Sequence, residues 1–167
     1  MTFGMALAAI ALTPAAASAL EESAPAAIVA AFDETCRRGF PDLQAVRQLA
    51  LAAGWTERSI RPVGGNADFQ AASLPQVFGK GSLTLFLTTP NAIGMKHGCQ
   101  VAGPVGRDVD IAALASAASS ALGGASAQFS EAGGAQLAQW RTDPHTLVQA
   151  SLNRRPRSAS LQMGIEP

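Results

Sequence analysis

The sequence predicts an α+β fold: an antiparallel sheet of about five strands covered on one face by about three helices. Three observations carry that expectation. Apolar residues recur at helical spacing in the first third of the chain, period-two alternation dominates from residue 81 onward, and most of the strand segments follow one another through short connections.

The chain opens MTFGMALAAIALTPAAASAL. Residues 3–12 are an apolar run too short to cross a bilayer as a helix, which takes about 20 residues, and Ala17-Ser18-Ala19 supplies an A-x-A-like cleavage site. The expectation is a signal peptide over residues 1–19 and a single α+β domain over residues 20–167, periplasmic or secreted, with no membrane span once the signal is removed. No Lys or Arg precedes the run, so the terminal amine is the only positive charge there. No cysteine follows it that could carry a lipid.

Ser23 and Pro25 open the first helix, in which Ile28, Val29, Phe32 and Cys36 recur at helical spacing until Gly39. Cys36 therefore belongs to the buried stripe. Asp42 is the N-cap of a second helix, carried by Leu43, Val46, Leu49 and Ala50 and ended by Gly54 at the left-handed C′ position. Trp55 falls at C″, where packing back onto the last turn is its expected role. Residues 56–80 mix Pro, Gly, Asn and isolated apolar residues without a period and read as mostly irregular.

From residue 81 to 89 the pattern changes. Leu83, Leu85 and Leu87 face one way and Thr84, Phe86 and Thr88 the other, as in a half-buried strand. Pro90, Asn91 and Gly94 provide turn chemistry before a second strand through Cys99 to about Val105, so the two form a hairpin with a long loop. Asp108 or Asp110 caps a third helix with Ile111, Leu114, Ala118 and Leu122 on one stripe and Gly123-Gly124 at its end. Its other face is Ala and Ser, suited to burial on the sheet. Residues 125–134 read as a low-complexity loop. AQLAQWRT, HTLVQASLN and SASLQMGIE then read as three further strands, with turns at Asp143-Pro144 and around Arg154-Arg155-Pro156-Arg157.

Composition excludes some functions. Charged residues are 14% of the chain and the formal net charge is zero, against about 25% charged residues in an average domain. No basic stripe is present to neutralise phosphates, so nucleic acid is not an expected partner. Tyrosine is absent and aromatics are 5%, which argues against large stacking platforms for bases or sugars.

Cys36 and Cys99 are the two cysteines. In an exported chain a small, even cysteine count reads as oxidised, because the space outside the cytoplasm lacks a reducing thiol pool. Bonding these two closes a long loop and stabilises the fold by about 4 kcal/mol in the chain-entropy model. The stretch MKHGCQVAG also raises a copper reading, since the thioether of Met95, the imidazole of His97 and the thiolate of Cys99 suit that metal. On a strand, however, neighbours sharing a face are about 6.5 Å apart, too spread for three in a row to converge on one ion, and His145 lies far along the chain. The expectation is a disulfide, with no metal and no cofactor.

Catalytic motifs are missing. The stretch GKGSL, at residues 79–83, satisfies neither G-x-S-x-G nor a P-loop, and H-E-x-x-H and paired Cys-x-x-Cys patterns are absent. Asp143 and His145 flank Pro144 and are the nearest approach to an acid–base couple, although D-P-H is first of all a strand-connecting turn. Arg154, Arg155 and Arg157 beside Pro156 form a compact cation cluster at a hairpin tip. Guanidinium forks suit carboxylates and phosphates, and the competing reading is a solvated turn that deters edge-to-edge association.

F-x-x-x-C in the first helix (Phe32, Cys36), PD-x-x-AV leading into GW (residues 41–55) and H-G-C-Q-V (residues 97–101), behind a signal peptide, together resemble small exported bacterial proteins of uncharacterised function. The resemblance covers about two thirds of the chain, implies no reaction, and implies that Cys36 and Cys99 are a structural pair. The functional expectation is an exported, non-enzymatic protein that binds a cell-envelope partner protein or a small anionic ligand, the latter through Arg154, Arg155 and Arg157. Two alternatives stand beside it: a small periplasmic hydrolase using His97, His145 or Asp143, and a copper-binding protein using Met95 and His97.

Overall fold

The computed structural model describes residues 23–59, 75–89 and 97–165. The expected signal peptide and Met95 lie outside those residues.

α1 (Pro25–Phe32) begins with Pro at its first position, where the missing N–H costs nothing. Ser23 does not cap it: its hydroxyl pairs with that of Ser82 at 2.7 Å, and its N–H donates to the Pro104 carbonyl at 2.8 Å, tying the helix entry to the sheet. α1 runs into a π-helical turn (Asp33–Arg37), whose wider spacing keeps two successive residues, Thr35 and Cys36, fully buried. The Thr35 hydroxyl is satisfied by the Ala31 carbonyl at 2.7 Å.

α2 (Leu43–Ala52) is capped by Asp42, whose carboxylate accepts from the Gln44 and Ala45 amides at 2.9 and 3.1 Å. It packs directly on the end of the preceding helix. A Cβ on Gly39 would lie 2.7 Å from the Val46 backbone nitrogen, so only glycine allows that approach. Trp55 donates its amide to the Ala50 carbonyl at 3.0 Å, and Gly54 donates to Leu51 at 3.1 Å, the paired bonds of a Schellman stop. Trp55 is 3% exposed, in the core as expected. α3 (Ile111–Ala121) is capped by Asp110, which accepts from the Ala113 amide at 2.7 Å.

Among the described residues the strands are β1 (Thr56–Arg58), β2 (Gln76–Lys80), β3 (Leu83–Thr88), β4 (Gly98–Pro104), β5 (Gln128–Ala132), β6 (Ala135–Arg141), β7 (Thr146–Arg154) and β8 (Arg157–Ile165). They form one antiparallel sheet in the order β1-β2-β3-β4-β8-β7-β6-β5. The α+β class holds, but the sheet has eight strands rather than about five. The three additional strands lack the alternation that marks a half-buried strand. Every residue of β1 and β5 is exposed, and β2 buries three successive residues. In place of a loop over residues 125–134, Gly133-Gly134, with φ of 59° and 80°, closes a two-residue hairpin between β5 and β6, a turn that requires positive φ at both positions.

The register aligns one continuous apolar face. Phe78, Leu85 and Val101 stand in one row with Leu161, Ala150 and Ala138, and Leu87 and Cys99 stand in the next with Met163, Val148 and Trp140. α1 lies over β4 and β8, α3 over β6 and β7, and the two helices touch. Buried residues from helices and sheet make a single core. Within it, the Trp140 indole donates to the Ser119 hydroxyl at 3.0 Å, fixing α3 to β6.

Cys36 and Cys99 form a disulfide with 5.6 Å between their Cα atoms and a sequence separation of 63. It joins the π turn to β4, and both residues are buried. No helix among the described residues is long and apolar enough to cross a membrane.

Candidate functional site

Because side chains alternate along a strand, the residues between the core positions point to the face away from the helices. There the register produces an alignment. Gln100 on β4 stands opposite Gln162 on β8, Gln162 opposite Gln149 on β7, Gln149 opposite Gln139 on β6, and Gln139 opposite Gln128 on β5. Five glutamines thus cross five adjacent strands in one row, with successive strands about 4.8 Å apart. Gln139 Nε2 donates to Gln149 Oε1 at 2.8 Å, orienting both amides. The amides of Gln100, Gln162 and Gln128 have no hydrogen-bond partner among the described residues. A parallel row holds Ser151 and Ser160, whose hydroxyls pair at 2.8 Å.

On the other side of the glutamines lies the row Thr88, Gly98, Gly164 and Leu147. Two neighbouring glycines remove the side chains from its middle and leave a depression of about 350 Å³. Thr88 and Leu147 flank it, Gln139, Gln149 and Gln162 form its long wall, and His97 and Ile165 close the end of the sheet. A second depression, of about 360 Å³, adjoins it, shares Gln139 and Leu147, and continues to Gln128 and Arg141. The Arg141 guanidinium donates to the Pro144 carbonyl at 3.1 Å. A larger crevice of about 480 Å³ lies between α1 and the β2–β3 turn. Its polar groups already pair, Ser23 with Ser82 and Lys80 with Glu34, so it presents mainly alanine methyl groups.

The residues singled out from sequence do not gather at one point. His97 Nε2 meets the Pro41 carbonyl at 2.6 Å, and its ring packs on Phe40 at 5.3 Å between centroids, so the imidazole ties the sheet end to the α2 entry. His145 is exposed in the β6–β7 turn. Asp143 shapes that turn by accepting from the His145 and Thr146 amides, each at 2.9 Å. Its carboxyl is held below the ordinary carboxylate range, first by the His145 backbone N–H and then by the Thr146 hydroxyl. Among the described residues no group of three or more His, Cys, Asp or Glu could hold a metal ion.

Arg154, Arg155 and Arg157 separate in the same way. Arg157 turns its fork inward, donating through Nε to the Gly106 carbonyl at 2.7 Å and through Nη2 to Arg107 at 2.7 Å and to Val109, which clamps the β4–α3 loop. Arg154 lies 3.8 Å from the Glu131 carboxylate on β5, with both side chains largely exposed. Arg155 is exposed at the tip of the hairpin.

Sequence reasoning missed the glutamine row. A signal was present, because each glutamine sits between two apolar or small residues, in A-Q-F, C-Q-V, A-Q-W, V-Q-A and L-Q-M. What the repeat lacks is the register that makes five separate tripeptides into one surface. No family model matches this chain, and neither a curated protein nor a solved structure was found to be similar to it.

Proposed function

We propose that this chain is an exported, non-enzymatic protein that binds its ligand on the sheet face opposite the helices. One observation carries the reading: on that face neutral amides from five strands stand in a row beside a depression, while His97, Asp143 and Arg157 are engaged in bonds that hold loops together. Preorganised polar groups beside a pocket are what a binding site needs. A general acid–base pair needs two titratable groups within reach of one substrate, and His97 and Asp143 serve separate loops. The buried disulfide supports an oxidising compartment outside the cytoplasm.

The test is amide-shift mapping of the intact, isotopically labelled protein against small-molecule and protein fractions of the cell envelope. Shifts concentrated at Gln100, Gln139, Gln149 and Gln162 are expected. Shifts centred on Arg154 and Arg155 would move the ligand to the hairpin tip and restore the anionic reading. Turnover of model esters or amides that disappears in His97→Ala or His145→Ala would favour the hydrolase. N-terminal sequencing of the fractionated protein is expected to begin at Leu20, and intact Met1 in the cytosol would remove the exported reading.

A further inference from the structure

Resting on the reading of this face as the binding surface, we propose that the depression over Gly98 and Gly164 is a seat for a neutral saccharide. The charge of the depression favours a neutral ligand. Among the described residues no Asp, Glu, Lys or Arg lines the depression, so an ionic ligand would lose its hydration there without gaining a counter-charge from them. Its hydrogen-bonding groups suit hydroxyls. A glutamine amide offers two donors and an acceptor oxygen, and three such groups stand along one wall, while the Thr88 hydroxyl across from them is engaged with the Gly98 carbonyl at 3.3 Å. That density of paired donors and acceptors matches the hydroxyl rim of a sugar ring, in which each group also both donates and accepts.

The floor suits the remaining face of a sugar. A sugar ring needs a flat apolar surface for its C–H face, and the chain is poor in aromatic rings. Gly98 and Gly164 stand opposite each other on β4 and β8 and expose bare backbone whose polar groups are already paired in the ladder. Leu147 and Ile165 add aliphatic walls. Among the described residues, packing does not demand the glycine at 164. Its φ is not positive, and a Cβ there would meet its nearest neighbour, the His97 carbonyl oxygen, at 3.4 Å, an ordinary contact. Glycine at this position instead keeps the floor flat. The volume of about 350 Å³ lies at the small end of ligand pockets, roughly 300–1,000 Å³, and the adjoining depression past Gln139 gives room for a second ring.

The experiment is an amide-shift titration of the intact, oxidised protein with maltose, cellobiose and di-N-acetylchitobiose, alongside glucuronate, glucosamine and a blocked neutral tripeptide. Saturable shifts at Gln139, Gln149, Gln162 and Gly164 with a neutral disaccharide are expected. They should be insensitive to salt, because screening acts on charges. Gly164→Leu should abolish binding by filling the floor, and Gln162→Leu should weaken it about tenfold, equivalent to about 1.4 kcal/mol. If Gly164→Leu does not fold, Gln162→Leu and Gln149→Leu carry the test. Tighter binding of a charged analogue or of the tripeptide, or undiminished binding by these variants, would overturn the assignment. Silent sugars with the same residues still shifted by envelope fractions would overturn the saccharide and leave the binding face standing, whereas no shift with either would overturn both.

Discussion

Replacing Cys36 and Cys99 together by alanine tests how the helices are held to the sheet. The bond closes a loop with a sequence separation of 63, and releasing that constraint from the unfolded chain costs about 4 kcal/mol of stability. Both sulfurs leave positions that are at most 1% exposed, and the small voids add about 1 kcal/mol. In a domain of this size each kcal/mol lowers the melting temperature by roughly 2–4 °C, so the double variant should melt roughly 10–20 °C below the oxidised protein. Urea unfolding should also show a larger m value, because the uncrosslinked chain exposes more surface when unfolded. Paired melts of oxidised, reduced and double-alanine protein make the measurement. Burial adds a kinetic expectation: reductant alone should act slowly, and reductant with denaturant quickly. Two alkylatable thiols in the native preparation, or equal melting temperatures with and without the bond, would refute the reasoning.

Other perturbations separate internal bonds from surface ones. Arg157→Ala removes three hydrogen bonds to the β4–α3 loop and should cost about 3 kcal/mol; Arg154→Ala loses only an exposed ion pair and should stay within about 0.5 kcal/mol in the same urea melts. Trp140→Phe deletes the indole bond to Ser119, whereas the buried Trp55 Nε1 has no partner among the described residues. Trp140→Phe and Trp55→Phe lose the same volume, so Trp140→Phe should be the more destabilising by about 1–2 kcal/mol, and equal losses would show that the Ser119 bond contributes nothing. The lowered pKa of Asp143 sets a sign: its contribution is complete above the ordinary carboxylate range and is lost as pH falls through the lower folded value. Hydrogen exchange at the His145 and Thr146 amides, compared with Asp143→Ala as pH is lowered, should show protection that the variant lacks near neutrality and that the native protein loses in acid.

Local chemistry was sufficient to read several elements from sequence. Asp42 and Asp110 cap helices because a short side-chain oxygen reaches amides two or three residues on. Leu85 and Leu87 lie on the core face of β3 because a strand alternates its sides, and Cys36 and Cys99 each follow an apolar pattern that leads inward. Such information is contained within a few residues of chain. β1 and β5 carry no such pattern, since a fully exposed edge strand is held by ladder bonds to its neighbour rather than by buried side chains.

Tertiary structure decided what the polar residues do. Arg157 looked like its neighbours Arg154 and Arg155 until the β4–α3 loop placed three carbonyls around its guanidinium. His97 is bound to the Pro41 carbonyl, a residue far from it in sequence. The glutamines lie on five strands, two of which, β4 and β8, meet only after the chain has passed through α3 and three other strands. On β4, β6, β7 and β8 the buried residues on either side of each glutamine determine that it points away from the core, whereas the exposed β5 has no such pattern around Gln128. Only the register between strands, set by burying the opposite face and by the turns, determines that the five amides share one row and that Gly98 meets Gly164 beside it.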